Sequence, residues 1–265
     1  MKQKKTARHC AAELLQAVLE KHREVEQAIA AHAEIGALEA RDRNFCRLLL
    51  LTALRRLGEV DALLARYMEK PLPEKATFVQ HCLRLGVVQL LFLETPPHAA
   101  VSATVEVLEA GRRRGYKGLV NAVLKRVARE GVRDLAEIVQ PGIDTPGWLW
   151  ESWVHTYGLE QATQIEQAQL QLPPLDITVK ENAEHWARQL EGDVLPTGSV
   201  RLRDYGRVDA LVGYEDGAWW VQDAAAALPV TLLGDVRGKT VLDICAAPGG
   251  QTAQLAVAGA EVTSI

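Results

Sequence analysis

The chain has 265 residues, 48% hydrophobic and 24% charged, with no run of about 18 apolar residues; two or three domains and no membrane span are expected. The net charge of −4 divides unevenly: residues 1–140 carry 23 Lys+Arg against 17 Asp+Glu, and residues 141–265 carry 7 against 17. A basic front half suits a polyanionic partner.

The start carries Lys2, Lys4, Lys5 and Arg8 with no apolar stretch behind them, unlike a signal peptide. Residues 6–67 read as helical throughout. Thr6 is placed to cap a first helix with the stripe Cys10, Ala11, Leu14, Leu15, Val18 and Leu19. Asp42 is placed to cap a second, with Phe45, Leu48, Leu49, Thr52 and Ala53 inward; Gly58 is expected to end it, and Val60 to Tyr67 form a shorter helix. After the stiff link Pro71-Leu72-Pro73, Phe78 to Phe92 is apolar around much of its circumference, as in a helix at the centre of a bundle.

Pro96-Pro97 opens the next helix, through Ala110, with Val101, Val105 and Leu108 inward. The basic stretch Gly111 to Gly118, with Arg112, Arg113, Arg114 and Lys117, leads into a helix from Leu119 to Glu130. On a helical wheel Leu119, Val120, Val123, Leu124 and Val127 share one face, while Arg114, Asn121, Lys125 and Arg129 gather opposite. Such a helix can pack on a bundle and present cations to phosphates, although a solvated charged face reads the same way.

Pro141-Gly142 marks a boundary, and Thr145-Pro146 an N-cap with proline at the first helical position. Trp148, Leu149, Trp153 and Tyr157 follow at helical spacing; Trp148 and Trp153 are expected in a core, not as a base-stacking platform. Beyond Pro173-Pro174 the period shifts to a strand (Leu175, Ile177, Val179), a helix (Glu181 to Leu190) and a strand (Val200 to Arg203). Tyr214 to Leu228 adds a strand at Ala218–Val221 and a helix starting near Asp223.

The last stretch, KTVLDICAAPGGQTAQLAVAGAEVTSI, reads as strand, loop, helix and strand. Val241, Leu242 and Ile244 suit a strand buried on both faces. Ala246 to Gly250 allow a tight turn and close approach of a ligand, Gly259 stops the helix, and Val262 to Ile265 resume a strand. This is the opening half of a Rossmann-type unit, whose ligands lie beyond the carboxyl end of the first strand. Neither G-x-G-x-x-G nor the phosphate-loop pattern is present. A small-residue loop at a helix N-terminus offers backbone amides to a carboxylate. The four cysteines, Cys10, Cys46, Cys82 and Cys245, form no C-x-x-C pair, so reduced thiols, no metal site and a cytoplasmic location are expected.

Asp243-Ile-Cys-Ala-Ala-Pro-Gly-Gly-Gln-Thr252 closely resembles the first cofactor motif of RNA (cytosine-C5) methyltransferases. Pro97 to Glu109 followed by Leu119-Val-Asn-Ala-Val-Leu-Lys125, with Arg41 to Arg47 and Gly58 to Leu63 before them, resembles the NusB domain, an all-helical RNA-binding fold. Together with Tyr214 to Leu228, these motifs resemble the bacterial small-subunit rRNA methyltransferase B (Fmu or Sun) family over essentially the whole chain.

The resemblance implies a multidomain chain. An all-α NusB-like bundle (1–140) is followed by a small α+β connector (141–210) and the beginning of an α/β Rossmann-like methyltransferase domain (211–265). It implies S-adenosylmethionine as cofactor, held by Cys245, Ala246, Ala247, Pro248, Gly249, Gly250 and Gln251, and 16S rRNA as partner of a monomeric protein. The family usually has Lys at the position of Gln251, which puts a cationic contact there in doubt. RNA contacts fall to Arg112, Arg113, Arg114, Lys117, Asn121, Lys125 and Arg129, with Asn121 the family's conspicuous asparagine. Enzymes of this type add a Cys thiolate to C6 of cytosine to activate C5. In the family that cysteine lies beyond the position of Ile265, so no catalytic residue is expected here and the chain alone is expected to be inactive. The alternative is a stand-alone NusB-like RNA-binding or antitermination-like module with a vestigial cofactor loop.

Overall fold

The computed structural model describes residues 5–109, 111–203 and 205–265, with Gly111 and Arg112 described in backbone only. The expected end of a helix at Ala110 lies outside them. Two compact units divide the chain, Met1–Gln171 and Leu172–Ile265. The boundaries expected near residues 140 and 210 fall inside these units.

The first unit is helical: α1 (Ala7–Leu19), α2 (Val25–Ala30), α3 (Ala40–Arg55), α4 (Leu57–Tyr67), α5 (Thr77–Leu91), α6 (Pro97–Glu106), α7 (Lys117–Ile138) and α8 (Gly147–Leu170). Thr6 caps α1, its hydroxyl accepting from the His9 amide at 3.3 Å. Pro97 opens α6, where its missing N–H costs nothing. The helix α5 is the hub, packing against α1, α3, α4, α6 and α7, and its buried positions, from Phe78 through Val88, run round the whole circumference. Two polar side chains driven inside are paired: that of Gln89 accepts from Arg8 Nε at 2.6 Å and donates to the Leu85 carbonyl at 2.9 Å. Tyr67 likewise donates its hydroxyl to Asp134 at 2.6 Å.

Several local expectations are corrected. The break after α3 falls at Arg56 (φ −115°, ψ 31°), and Gly58 lies inside α4. A Cβ at Gly58 would stand 1.7 Å from the Ile143 carbonyl oxygen, so this glycine serves a backbone approach and not a helix stop. Glu39 occupies the N-cap position of α3, with Asp42 in its first turn, where a carboxylate still meets the positive end of the helix dipole. The inward face of α3 is Cys46, Leu49, Leu50 and Ala53, a slight rotation from the expected stripe. At α8 the N-cap position is Pro146, not Thr145. The Thr145 hydroxyl instead donates to Glu166 at 2.9 Å, and Glu166 also accepts from the amides of Gly142 (2.7 Å) and Asp144 (3.1 Å).

Trp148 is 73% exposed, against the expectation that it is buried, and Trp153 is half-buried. The reason is a kink at Gly158 (φ 80°, ψ 164°) that divides α8. Only Ala162 and Glu166, both after the kink, are buried; before it Trp150 packs against Gly142, while Trp148 faces solvent.

The second unit holds a four-stranded sheet in the order β2-β3-β1-β4, from β1 (Leu175–Val179), β2 (Asp193–Val194), β3 (Val200–Leu202) and β4 (Trp219–Val221), with α9 (Ala183–Gln189) capped by Asn182. All its pairings are antiparallel. The helix α10 (Ala224–Leu232), capped by Asp223, is tied to this sheet through the buried Asp176 of β1. The Asp176 carboxylate takes both Nε and Nη2 of Arg201 at 2.7 Å and the Ala224 amide at 3.0 Å. After α10 comes the parallel unit β5 (Thr240–Asp243), α11 (Gly250–Val257), β6 (Glu261–Ser264). Val241 and Val262 pack with Val230, Val236 and Leu255. The expected burial of β5 on both faces is not met: Leu242 is 53% and Ile244 67% exposed, because one face of this two-stranded sheet carries no covering layer. Among the described residues no helix is long and apolar enough to cross a membrane.

Candidate cofactor cradle and nucleic-acid surface

The residues Cys245 to Gly249 form the loop from the carboxyl end of β5 into α11, whose first two residues are Gly250 and Gln251. Cys245 is exposed with φ 63°, and the Ala247–Pro248 peptide is cis. The Ala246 amide donates to the Ile265 carbonyl at 3.0 Å and the Gly249 amide to the Ala246 carbonyl at 2.7 Å, which closes the turn. Gly249 stands at the N-cap position of α11 with φ 101°, a left-handed conformation suited to glycine, and a Cβ there would meet nothing within 4 Å. The first helical bond at this end runs from the Ala253 amide to the Gly249 carbonyl at 2.9 Å. The amides of Gly250, Gln251 and Thr252 therefore have no intrahelical acceptor and remain donors at the positive end of the helix.

The residues that hold this turn were not evident from local sequence. Thr252 donates its hydroxyl to the buried Asp243 at 2.5 Å and shares a 2.9 Å hydrogen bond with Ser264, tying α11 to the ends of both strands. Asp243 and Thr252 are the first and last residues of the motif, so the signal was present without the geometry. Gln251 donates from its side-chain amide to the Ala226 carbonyl of α10 at 3.2 Å. Its polar end is thus engaged by the protein.

Of the seven expected RNA contacts, Lys117, Asn121, Lys125 and Arg129 line one groove of about 670 Å³ between α6 and α7. Val101 and Val105 contribute apolar surface, while Glu106 and Glu109 form an acidic wall, and Lys117 is paired with Glu109 at 2.8 Å. Arg114 is exposed. Arg113 stacks its guanidinium 3.9 Å from the centre of the Phe78 ring, a cation–π contact that engages it with the bundle. The Arg112 side chain lies outside the described residues. On the expected hydrophobic face of α7, Val120, Val123, Leu124 and Val127 are buried and Leu119 is partly exposed.

Three of the four cysteines are core residues. Burial pushes the thiol of Cys10 up to about 11 and those of Cys46 and Cys82 up to about 12, so none is a thiolate near neutral pH. Glu13, His32 and Glu34 come within 4.8 Å of one another, a cluster no local pattern announced. The Lys5 ammonium already lies 2.7 Å from Glu13 and 2.8 Å from Glu34, supplying the counter-charge.

Comparison with known proteins gives three findings. The NusB family matches residues 5–129. Proteins named ribosomal RNA small subunit methyltransferase B, from Cronobacter sakazakii and Escherichia coli, are 32% and 31% identical to the chain over 96% of its length; the chain spans 62% of theirs. The crystal structure of PH0851 superposes with a TM-score of 0.60 at 16% identity, covering 100% of this chain and 64% of the other, which is a likeness of fold.

Proposed function

Because the chain is 32% and 31% identical to proteins named ribosomal RNA small subunit methyltransferase B and spans 62% of their length, we propose that it is the corresponding part of such a protein, which transfers a methyl group from S-adenosylmethionine to C5 of a cytosine in 16S rRNA. The observation that carries this reading is the stretch from Cys245 to Gln251, which leaves three helix-terminal amides free beyond the end of β5. The methionine carboxylate of the cofactor fits those amides, and Gly249 keeps the approach open because no side chain stands there. When bound, the cofactor supplies an electrophilic methyl group. Thr252 and Asp243 hold the amides in place.

The NusB-like bundle is proposed to hold the rRNA through the basic wall of the α6–α7 groove, with Lys125 and Arg129 meeting phosphates and Asn121 a polar edge. The nucleophilic cysteine is assigned outside residues 1–265. Cys10, Cys46 and Cys82 are buried in the bundle, and Cys245 belongs to the cradle turn.

The test is a nitrogen-15 NMR titration of the chain with S-adenosylmethionine. Saturable shifts centred on the amides of Gly249 to Thr252 are expected. No shift up to millimolar cofactor would sink the cradle reading.

A further inference from the structure

Gln222 is a buried amide just before α10, 6% exposed, in a segment to which neither the cofactor motif nor the bundle assigns a task. Its hydrogen-bonding capacity is used in three directions. The Oε1 atom accepts from the indole N–H of Trp220 at 2.9 Å, and Nε2 donates to Gln254 Oε1 of α11 at 3.2 Å and to the Ala226 carbonyl at 3.4 Å. Its main-chain amide donates to the Asp176 carbonyl at 3.1 Å, which anchors it to β1. The side chain also lies directly beneath the cradle: a Cβ added at Gly250 would stand 3.4 Å from both Cγ and Cδ of Gln222.

Two further amides complete the network. Gln254 donates to the Ala227 carbonyl at 3.1 Å, and Gln251 to the same Ala226 carbonyl that Gln222 reaches. The first turn of α11 thus rests on Gln222 and on two carbonyls of α10, and α10 in turn starts from the Asp176 carboxylate of the antiparallel sheet.

We infer that Gln222 is a positioning residue that sets the orientation of the α11 N-terminus, and with it the aim of the Gly250, Gln251 and Thr252 amides at a cofactor carboxylate. This rests on the cradle reading above. A buried amide that donates in two directions and accepts in a third fixes a helix angle more sharply than apolar packing, since each misplaced partner leaves a desolvated polar group unpaired.

The test uses Gln222→Met, which keeps a side chain of similar size under Gly250 and removes all three side-chain hydrogen bonds. Gln254→Met removes the shared amide bond from the α11 side. Cofactor affinity of the chain is read by NMR titration in both single variants and in the double variant. Each single change is expected to weaken S-adenosylmethionine binding by about tenfold, and the double change to cost clearly less than the product of the two, because both break the shared Gln222–Gln254 bond. Unchanged affinity in Gln222→Met, or losses that simply multiply, would overturn the inference. A second readout needs no cofactor: exchange of the Ala253 amide, which closes the first turn of α11, is expected to speed up about tenfold in Gln222→Met while amides of the helical bundle keep their rates. If the unaltered chain shows no cofactor shifts, the cradle reading fails by itself, and Gln222 is judged on this exchange rate, where no change overturns its positioning role.

Discussion

Burial pushes the Asp144 carboxyl up from 3.8 to about 6, and the nearby carboxylates of Glu59 and Glu166 push the same way. One oxygen accepts from the Glu59 amide at 3.0 Å, while Oδ2 is buried without a partner. The native state therefore holds a proton that the unfolded chain releases more readily. Stability from this group is complete below about pH 4 and is lost as pH rises through about 6. Asp144→Asn keeps an acceptor for Glu59 and carries no charge to desolvate. It should raise the melting temperature by a few degrees at pH 7.5 and flatten the pH dependence between 4 and 6, as followed by circular dichroism. A variant that melts lower at pH 7.5 would show that the charged form is stabilised here.

At the scale of elements, α7 and α8 separate two kinds of amphipathic helix. The apolar stripe of α7 is buried in the bundle, and its polar face turns Lys125 and Arg129 into the α6–α7 groove. Replacing Arg114, Lys125 and Arg129 with Ala should flatten the plot of log RNA affinity against log salt, by about 0.7 to 0.9 for each phosphate no longer neutralised. An unchanged slope would make them solvated surface charges. On the first turns of α8 the Trp148 side chain stands exposed, so Trp148→Ala should change stability by less than about 0.5 kcal/mol. A larger loss on thermal unfolding would mean that this indole packs somewhere in solution.

Taken whole, the chain offers a helical bundle with a groove between α6 and α7 and a parallel βαβ unit that carries the proposed cofactor cradle. With Leu242, Ile244 and Ile265 all more than half exposed, the two-stranded sheet is uncovered on one face and gives a bound adenosine little to pack against. Residues 1–265 as purified should therefore show no methyl transfer to deproteinised 16S rRNA in a radiolabel assay. Turnover that Cys245→Ala abolishes, in a protein that stays folded, would make Cys245 the nucleophile and refute its assignment to the cradle.

The sequence by itself determined what depends on neighbouring residues. Thr6 and Pro97 mark helix starts through the backbone donors they satisfy or lack, the β5–α11–β6 unit comes from its period and glycines, and the all-round apolar α5 had to lie at the centre. Tertiary structure decided what depends on which surfaces meet. Gly58 reads locally as a helix stop, yet it is needed because the Ile143 carbonyl approaches it from 85 residues away in the chain. Trp148 reads as core, yet the kink at Gly158 leaves it without a neighbour to bury it. Arg113 and Gln251 read as ligand contacts, and the fold adds partners of their own: Arg113 stacks on Phe78 and the Gln251 side chain donates to α10. Gln222 lies within the Tyr214–Leu228 stretch, but its hydrogen bond to Gln254 of α11 joins groups that only folding brings together. Periodicity and turn chemistry are local energies that a short window contains, whereas burial and hydrogen-bond partnership are properties of pairs that the fold chooses.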